Sequence, residues 1–155
     1  MATNVWVSKG DMFETKKDGV LVNTGSRKDP RAWTLLPGVF NRRFGVSQFI
    51  KENGRKNIYY QQGVTDRLTG RKRDVITLIV KETEWDSVEE SHLTQLLYEL
   101  KEFCEKNRIH HLIMPKICCG VHGCRWANVN KLLRGVFDGS NVKITVKYRE
   151  GDKTN

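Results

Sequence analysis

The chain has 155 residues, of which 38% are hydrophobic and 29% charged, and a formal net charge of +9. This composition excludes a disordered chain, and the length suits one folded domain with a sizeable core. No apolar run approaches the roughly 18 residues of a membrane-spanning helix, and the opening MATNVWVSKG lacks the apolar segment of a secretion signal.

The first predicted strand is Val20-Leu21-Val22, after the turn-like KKDG. A long polar stretch marked by Gly and Pro, NTGSRKDPRAWTLLPG, is predicted as loop. Phe40, Phe44, Phe49 and Ile50 suit one face of a helix ending near Asn53-Gly54. Ile58-Tyr59-Tyr60 and Val75–Val80 are rich in β-branched and aromatic residues, and the basic turn QQGVTDRLTGRKR between them predicts a hairpin. Leu93, Leu96, Leu97, Leu100, Phe103 and Cys104 recur at helical spacing after Asp86-Ser87 or Ser91, which predicts an amphipathic helix. His111–Met114 follows as a buried strand stopped by Pro115. A second helical stripe, Val129, Leu132, Leu133, Val136 and Phe137, runs from the Trp126 region to Asp138-Gly139. Val142, Ile144 and Val146 alternate as a last strand.

Strands alternating with helices predict an α/β fold, with helices on both faces of a mixed sheet. A single domain over 1–155 is expected, with a flexible tail from about 149 to 155, and a monomer. Without an export signal the four cysteines are expected as thiols in a cytoplasmic protein, or a nuclear one in a eukaryote. No membrane partner is expected. The positive charge attracts polyanions, nucleic acid among them. The hairpin tip (Arg67, Arg71, Lys72, Arg73) and the run Asn41-Arg42-Arg43 are candidate contacts for one.

In α/β sheets of this kind ligands bind outside the carboxyl ends of the strands. The stretch PKICCGVHGCRW (residues 115–126) lies there, between a strand and a helix. Cys118, Cys119, His122 and Cys124 are metal-ligand types. Adjacent ligands suit a tetrahedral ion poorly, however, and a second, distant pair is missing, so no metal is expected. Cys119 to Arg125 has the C-x5-R spacing of cysteine phosphatases, though Trp126 stands where those enzymes carry Ser or Thr. The preferred reading is a backbone cradle. Gly120 and Gly123 flank a turn whose N–H groups can converge on a diphosphate at a helix start. A turn that binds nothing is the remaining alternative.

Residues 115–146, from PKICCG through Trp126-x-x-Val129 to the Lys143-Ile144-Thr145-Val146 strand, resemble the C-terminal third of macro domains. VSKGDMF, VLVN and VFNRRFG resemble earlier segments of the same family. The resemblance implies a three-layer α/β/α fold that binds ADP-ribose, free or on a modified macromolecule, with no cofactor. LIVKETEW resembles the branch containing the terminal ADP-ribose protein glycohydrolase and the antitoxins that reverse ADP-ribosylation of DNA bases. There a strand-end lysine attacks the distal ribose, and Lys81 falls at that position. By the same resemblance Asp11 and the Met12 N–H would take adenine, and Asn23 would lie near the distal ribose. Gly38 would belong to the first phosphate loop. The backbone of Cys119, Gly120, Val121, His122 and Gly123 would cradle the diphosphate and distal ribose. His122 replaces the acidic residue of the glycohydrolase, where an imidazole can serve as acid or base. The first loop, Trp33–Gly38, has one glycine where the family has Gly-x-Gly, and Lys147 precedes Tyr148 where an adenine-stacking aromatic is usual. Three activities follow as expectations. One is release of ADP-ribose from a macromolecule through Lys81. Another is binding without turnover, and the third is hydrolysis of ADP-ribose 1''-phosphate or another phosphate monoester.

Overall fold

The computed structural model describes residues 4–15, 18–120 and 123–149. Among them, strands β1 (Val5–Lys9), β2 (Val20–Ser26), β3 (Ile58–Thr65), β4 (Lys72–Lys81), β5 (His111–Met114) and β6 (Lys143–Tyr148) form one mixed sheet in the order β1-β6-β5-β2-β4-β3. Every neighbouring pair is parallel except the β3–β4 hairpin. The carboxyl ends of β1, β6, β5, β2 and β4 therefore share one end of the sheet.

Strand alternation sorts the core into two layers. Val20 and Val22 of β2, with Ile76, Leu78 and Val80 of β4, pack against helices α3 (Glu90–Lys106) and α4 (Trp126–Phe137). Leu21, Val75 and Ile79 point the other way, onto Phe13 and helices α1 (Leu35–Phe44) and α2 (Val46–Glu52). The result is the expected three-layer α/β/α fold. Leu93, Leu96, Leu97, Leu100 and Cys104 bury the α3 stripe, so Cys104 is a core residue.

Three elements differ from the sequence reading. The helix expected to run to Asn53 is two helices. Gly45, at φ 63°, takes the left-handed conformation that ends α1, and α2 starts at the next residue. Helix α1 also begins inside the predicted loop, at Leu35. Pro37 is tolerated because an N–H in the first turn has no intrahelical partner to lose. Strand β1 was not predicted: apart from Val5 its residues are not buried, so it carries no alternation. No helix among the described residues is long and apolar enough to cross a membrane.

Candidate active site at the carboxyl end of the sheet

Lys81 closes β4 and shares a sheet face with Thr77, Ile79 and, across the parallel pairing, Asn23 of β2. Asn23 is 1% exposed. Its amide donates to Thr77 Oγ1 at 3.3 Å, and its carbonyl oxygen has no partner. A buried acceptor without a donor is costly unless a ligand or water supplies one, so this end of the sheet carries an unmet hydrogen-bonding demand. The Lys81 ammonium donates to the carbonyl oxygens of Glu84 at 2.8 Å and Asp86 at 3.1 Å. Both belong to the strap that joins β4 to α3.

The loop after β5 lies at the same end of the sheet, beyond the neighbouring strand β2. Cys118 has φ 60°, a sparsely populated conformation for a side-chain-bearing residue. Its carbonyl accepts from Cys124 N–H at 2.5 Å, and Gly123 N–H donates to Gly120 O at 3.1 Å. A Cβ on Gly123 would be driven into the Cys118 carbonyl, whereas a Cβ on Gly120 would meet open space. Gly123 thus allows the tight turn, and Gly120 leaves backbone open to approach. Val121 and His122 lie outside the described residues.

The thiols of this loop are built for packing. Cys119 is buried in the α3/α4 core layer, and its Sγ donates to Ile117 O at 3.2 Å. Burial pushes its pKa up to about 12, with Cys124 adding to the rise and Lys116 opposing it. A thiolate nucleophile needs the reverse, which removes the support for the C-x5-R reading. Burial, then Cys124 and Cys119, likewise raise the Cys118 thiol, while the Lys81 charge pulls it down. Lys81 and this loop are therefore electrostatic neighbours.

Toward β1, Asp11 caps a 3-10 turn, Met12–Glu14, by accepting from Phe13 N–H at 2.9 Å through one carboxylate oxygen. Met12 is buried beside it. The Lys116 ammonium lies 4.3 Å from the Tyr148 ring and 5.6 Å from that of Trp126, which packs partly buried on the core. Tyr148 thus faces a cation at the carboxyl end of β6.

At the other end, Thr34 is the N-cap of α1, but its hydroxyl makes no capping bond within the helix. Pro37 at the third helical position has no N–H to offer it. The Thr34 hydroxyl and N–H both donate instead to one oxygen of Glu84, at 2.7 and 2.8 Å. Leu35 follows at φ 54° and is 80% exposed. Gly38 is buried in the first turn and its N–H donates to Thr34 O at 3.2 Å. A Cβ there would lie 2.7 Å from Trp33 O. Its glycine character thus serves the approach of α1 to Trp33.

The structure gathers Lys81, Asn23, Cys119, Gly120 and Gly123 around the ends of β4, β2 and β5, with Asp11 and Met12 beyond β6 at the end of β1. Glu84 and Thr34 were missed, because an exposed contact 50 residues apart leaves no pattern in the chain. Three of the candidate polyanion contacts have structural work. Arg43 grips Asp66 at 2.6 Å, Arg73 donates to Phe13 O at 2.9 Å, and Asn41 donates to Pro30 O at 2.6 Å. Arg42, Arg67, Arg71 and Lys72 remain exposed.

No family model matches the chain. It is 30% identical over 141 residues to the Homo sapiens protein described as ADP-ribose glycohydrolase OARD1, covering 89% of this chain and 87% of that protein. Among solved structures, Thermosipho africanus DarTG in complex with ADP-ribose matches with a TM-score of 0.78 at 14% identity, over 99% of this chain and 44% of that one. The macrodomain of Mycobacterium tuberculosis DarG matches with a TM-score of 0.75 at 15% identity, over 94% and 98% of the two chains. At such identities the structural likenesses establish the fold.

Proposed function

The chain belongs to the macro domain family, and from that premise we propose that its cleft binds ADP-ribose and releases it from a modified macromolecule, with Lys81 as nucleophile. The observation that carries this reading is the placement of Lys81. It ends β4 on the same sheet face as the under-bonded Asn23, and its charge acts on the loop that begins at Cys118. The relative 30% identical to this chain is described as an ADP-ribose glycohydrolase, which supports the reading.

The chemistry assigned to Lys81 is a nucleophilic displacement. Its amine lone pair attacks the anomeric carbon of the distal ribose. A C–N bond forms, and the C–O or C–N bond to the macromolecule breaks with its electron pair. Water then hydrolyses the lysyl adduct, restoring the amine and freeing ADP-ribose. An ammonium bonded to the Glu84 and Asp86 carbonyls presents protons, not a lone pair. Attack therefore requires Nζ to leave the strap and give up a proton. His122 is proposed as the base on the strength of the family pattern alone. Asn23 Oδ1 would accept a hydroxyl of the distal ribose. The amides around Gly120 would take the diphosphate, and Asp11 and Met12 the adenine edge.

One observation favours a second reading, a binding module without turnover: Lys81 is already engaged by the protein's own carbonyls. Release of labelled ADP-ribose from an auto-modified ADP-ribosyltransferase and from an ADP-ribosylated oligonucleotide separates the two. Lys81→Ala abolishes release while retaining ADP-ribose binding if Lys81 is the nucleophile. Binding by the wild type with no release from either substrate supports the module.

A further inference from the structure

We propose that Glu84 is a built-in competitor for the ligand's diphosphate: it caps the start of α1 and holds the β4–α3 strap over Lys81 until an anion displaces it. The identity of that anion rests on the ADP-ribose reading; the latch itself does not.

Three observations converge. First, one carboxylate oxygen of Glu84 takes both the N–H and the hydroxyl of Thr34, at 2.8 and 2.7 Å. A helix N-terminus attracts anions through its unpaired N–H groups and its dipole, and here a side chain of the same protein supplies the anion. Both donors, the Thr34 N–H and the Thr34 O–H, face the same carboxylate oxygen and are available to whichever anion takes its place.

Second, the same residue masks the lysine. The Glu84 carbonyl, with that of Asp86, accepts the Lys81 ammonium. Residues 83–86 form one turn, in which Asp86 N–H donates to Thr83 O at 3.2 Å and Thr83 N–H donates to Asp86 Oδ2 at 2.9 Å. When the Glu84 side chain leaves Thr34, this turn moves as a unit and carries both carbonyls off Lys81. Anion entry and lysine release become one event.

Third, the 83–86 turn of the strap is held lightly. Trp85 within it is 81% exposed, and the strap's apolar anchor is Val88, beyond the turn, which packs partly buried on the core. Leu35, next to Thr34, is 80% exposed. A turn with so little apolar burial opens at low cost about its Val88 anchor. Two hollows of the surface lie elsewhere. One, of about 440 Å³, runs between α3 and α4 past Tyr98 and Gly135. The other, of about 220 Å³, is beside Ile109 and Gly139 at the opposite end of the sheet.

The test titrates inorganic pyrophosphate into wild type, Glu84→Ala and Glu84→Gln, following the backbone amide resonances of residues 33–38, with the same proteins titrated with ADP-ribose and with adenosine. Glu84→Gln keeps the size and an acceptor oxygen, so it guards against a folding defect in Glu84→Ala. The expected result is pyrophosphate affinity raised roughly two- to five-fold in both variants, the worth of one surface charge at a helix N-terminus, and adenosine affinity unchanged. Reductive methylation of Lys81, read by mass spectrometry, is expected to speed up in Glu84→Ala relative to Lys143. Equal or weaker pyrophosphate binding in both variants, or Lys81 labelling at the wild-type rate, overturns the latch. Tighter pyrophosphate binding with no ADP-ribose binding in any of the three proteins supports the latch and defeats the ADP-ribose reading instead.

Discussion

The indole of Trp33 lies against Gly25 of β2, so close that a Cβ at Gly25 would run into the ring. The indole N–H donates to Ser26 O at 3.2 Å and to Ser26 Oγ at 3.0 Å. This contact pins the first loop to the sheet and fixes where α1 begins. Gly25→Ala is therefore expected to cost about 1–3 kcal/mol through overpacking, measured by urea unfolding. Trp33→Phe keeps most of the ring but loses the indole hydrogen bonds, and is expected to cost about 1 kcal/mol.

Arg43, partly buried, and Asp66, buried, form a bidentate pair at 3.0 and 2.6 Å. Burial alone would raise the Asp66 pKa. The Arg43 hydrogen bonds and the Leu68 N–H outweigh it and hold the carboxyl at about 2, below its ordinary 3.8. A depressed folded-state pKa contributes stability that is present above pH 3.8 and lost as pH falls toward 2. The linkage amounts to about 2 kcal/mol. Arg43→Ala is expected to be destabilised by at least that much at neutral pH. Its deficit against wild type should shrink as the pH of the unfolding titration is lowered from about 4 to about 2.

Much of the fold was legible because burial leaves a period. The α3 stripe, the His111–Met114 strand and the Trp126–Phe137 helix carry apolar side chains on one face or throughout, and all three were placed within a few residues. The start of α1 was not, because Pro37 and Gly38 are loop residues by propensity, whereas the turn that leads into the helix is anchored by Trp33 on Ser26 of β2. The same limit hid the site's anion. Glu84 meets Thr34 only after β2 and β4 align, and nothing in KETEWD marks one acidic residue above the others. Arg43 and Arg73 misled in the opposite direction: charge suggested a binding surface, whereas partners made them structural. The placement of Lys81 and the preference for glycines over thiols in residues 118–124 came from resemblance and backbone chemistry together.

The thiols themselves provide another test. With Cys119 raised to about 12 by burial and bonded to Ile117 O, alkylation by iodoacetamide at pH 8 should be slow in the folded protein and rapid in urea. Cys119→Ser is expected to retain any ADP-ribose release. A loss of turnover with intact folding would return the thiol to the chemistry.

Gly123→Ala places a methyl group against the Cys118 carbonyl, and the 118–124 turn must open to admit it. Gly120→Ala meets no neighbour. The expected contrast is a loss of about 1–3 kcal/mol of stability for Gly123→Ala, read as a fall in melting temperature. Gly120→Ala should instead show a near-native melting temperature with weaker ADP-ribose binding, because its methyl group projects where the ligand backbone would approach.

Calorimetry of the wild-type protein and Lys81→Ala with ADP-ribose is the most direct test of the account. Saturable one-to-one binding well below millimolar concentration is predicted for both proteins, since Lys81 is assigned to bond breaking while Asp11, Asn23 and the Gly120 loop are assigned to binding. No heat from either protein at millimolar ADP-ribose would contradict the proposed ligand, and with it the role given to Lys81.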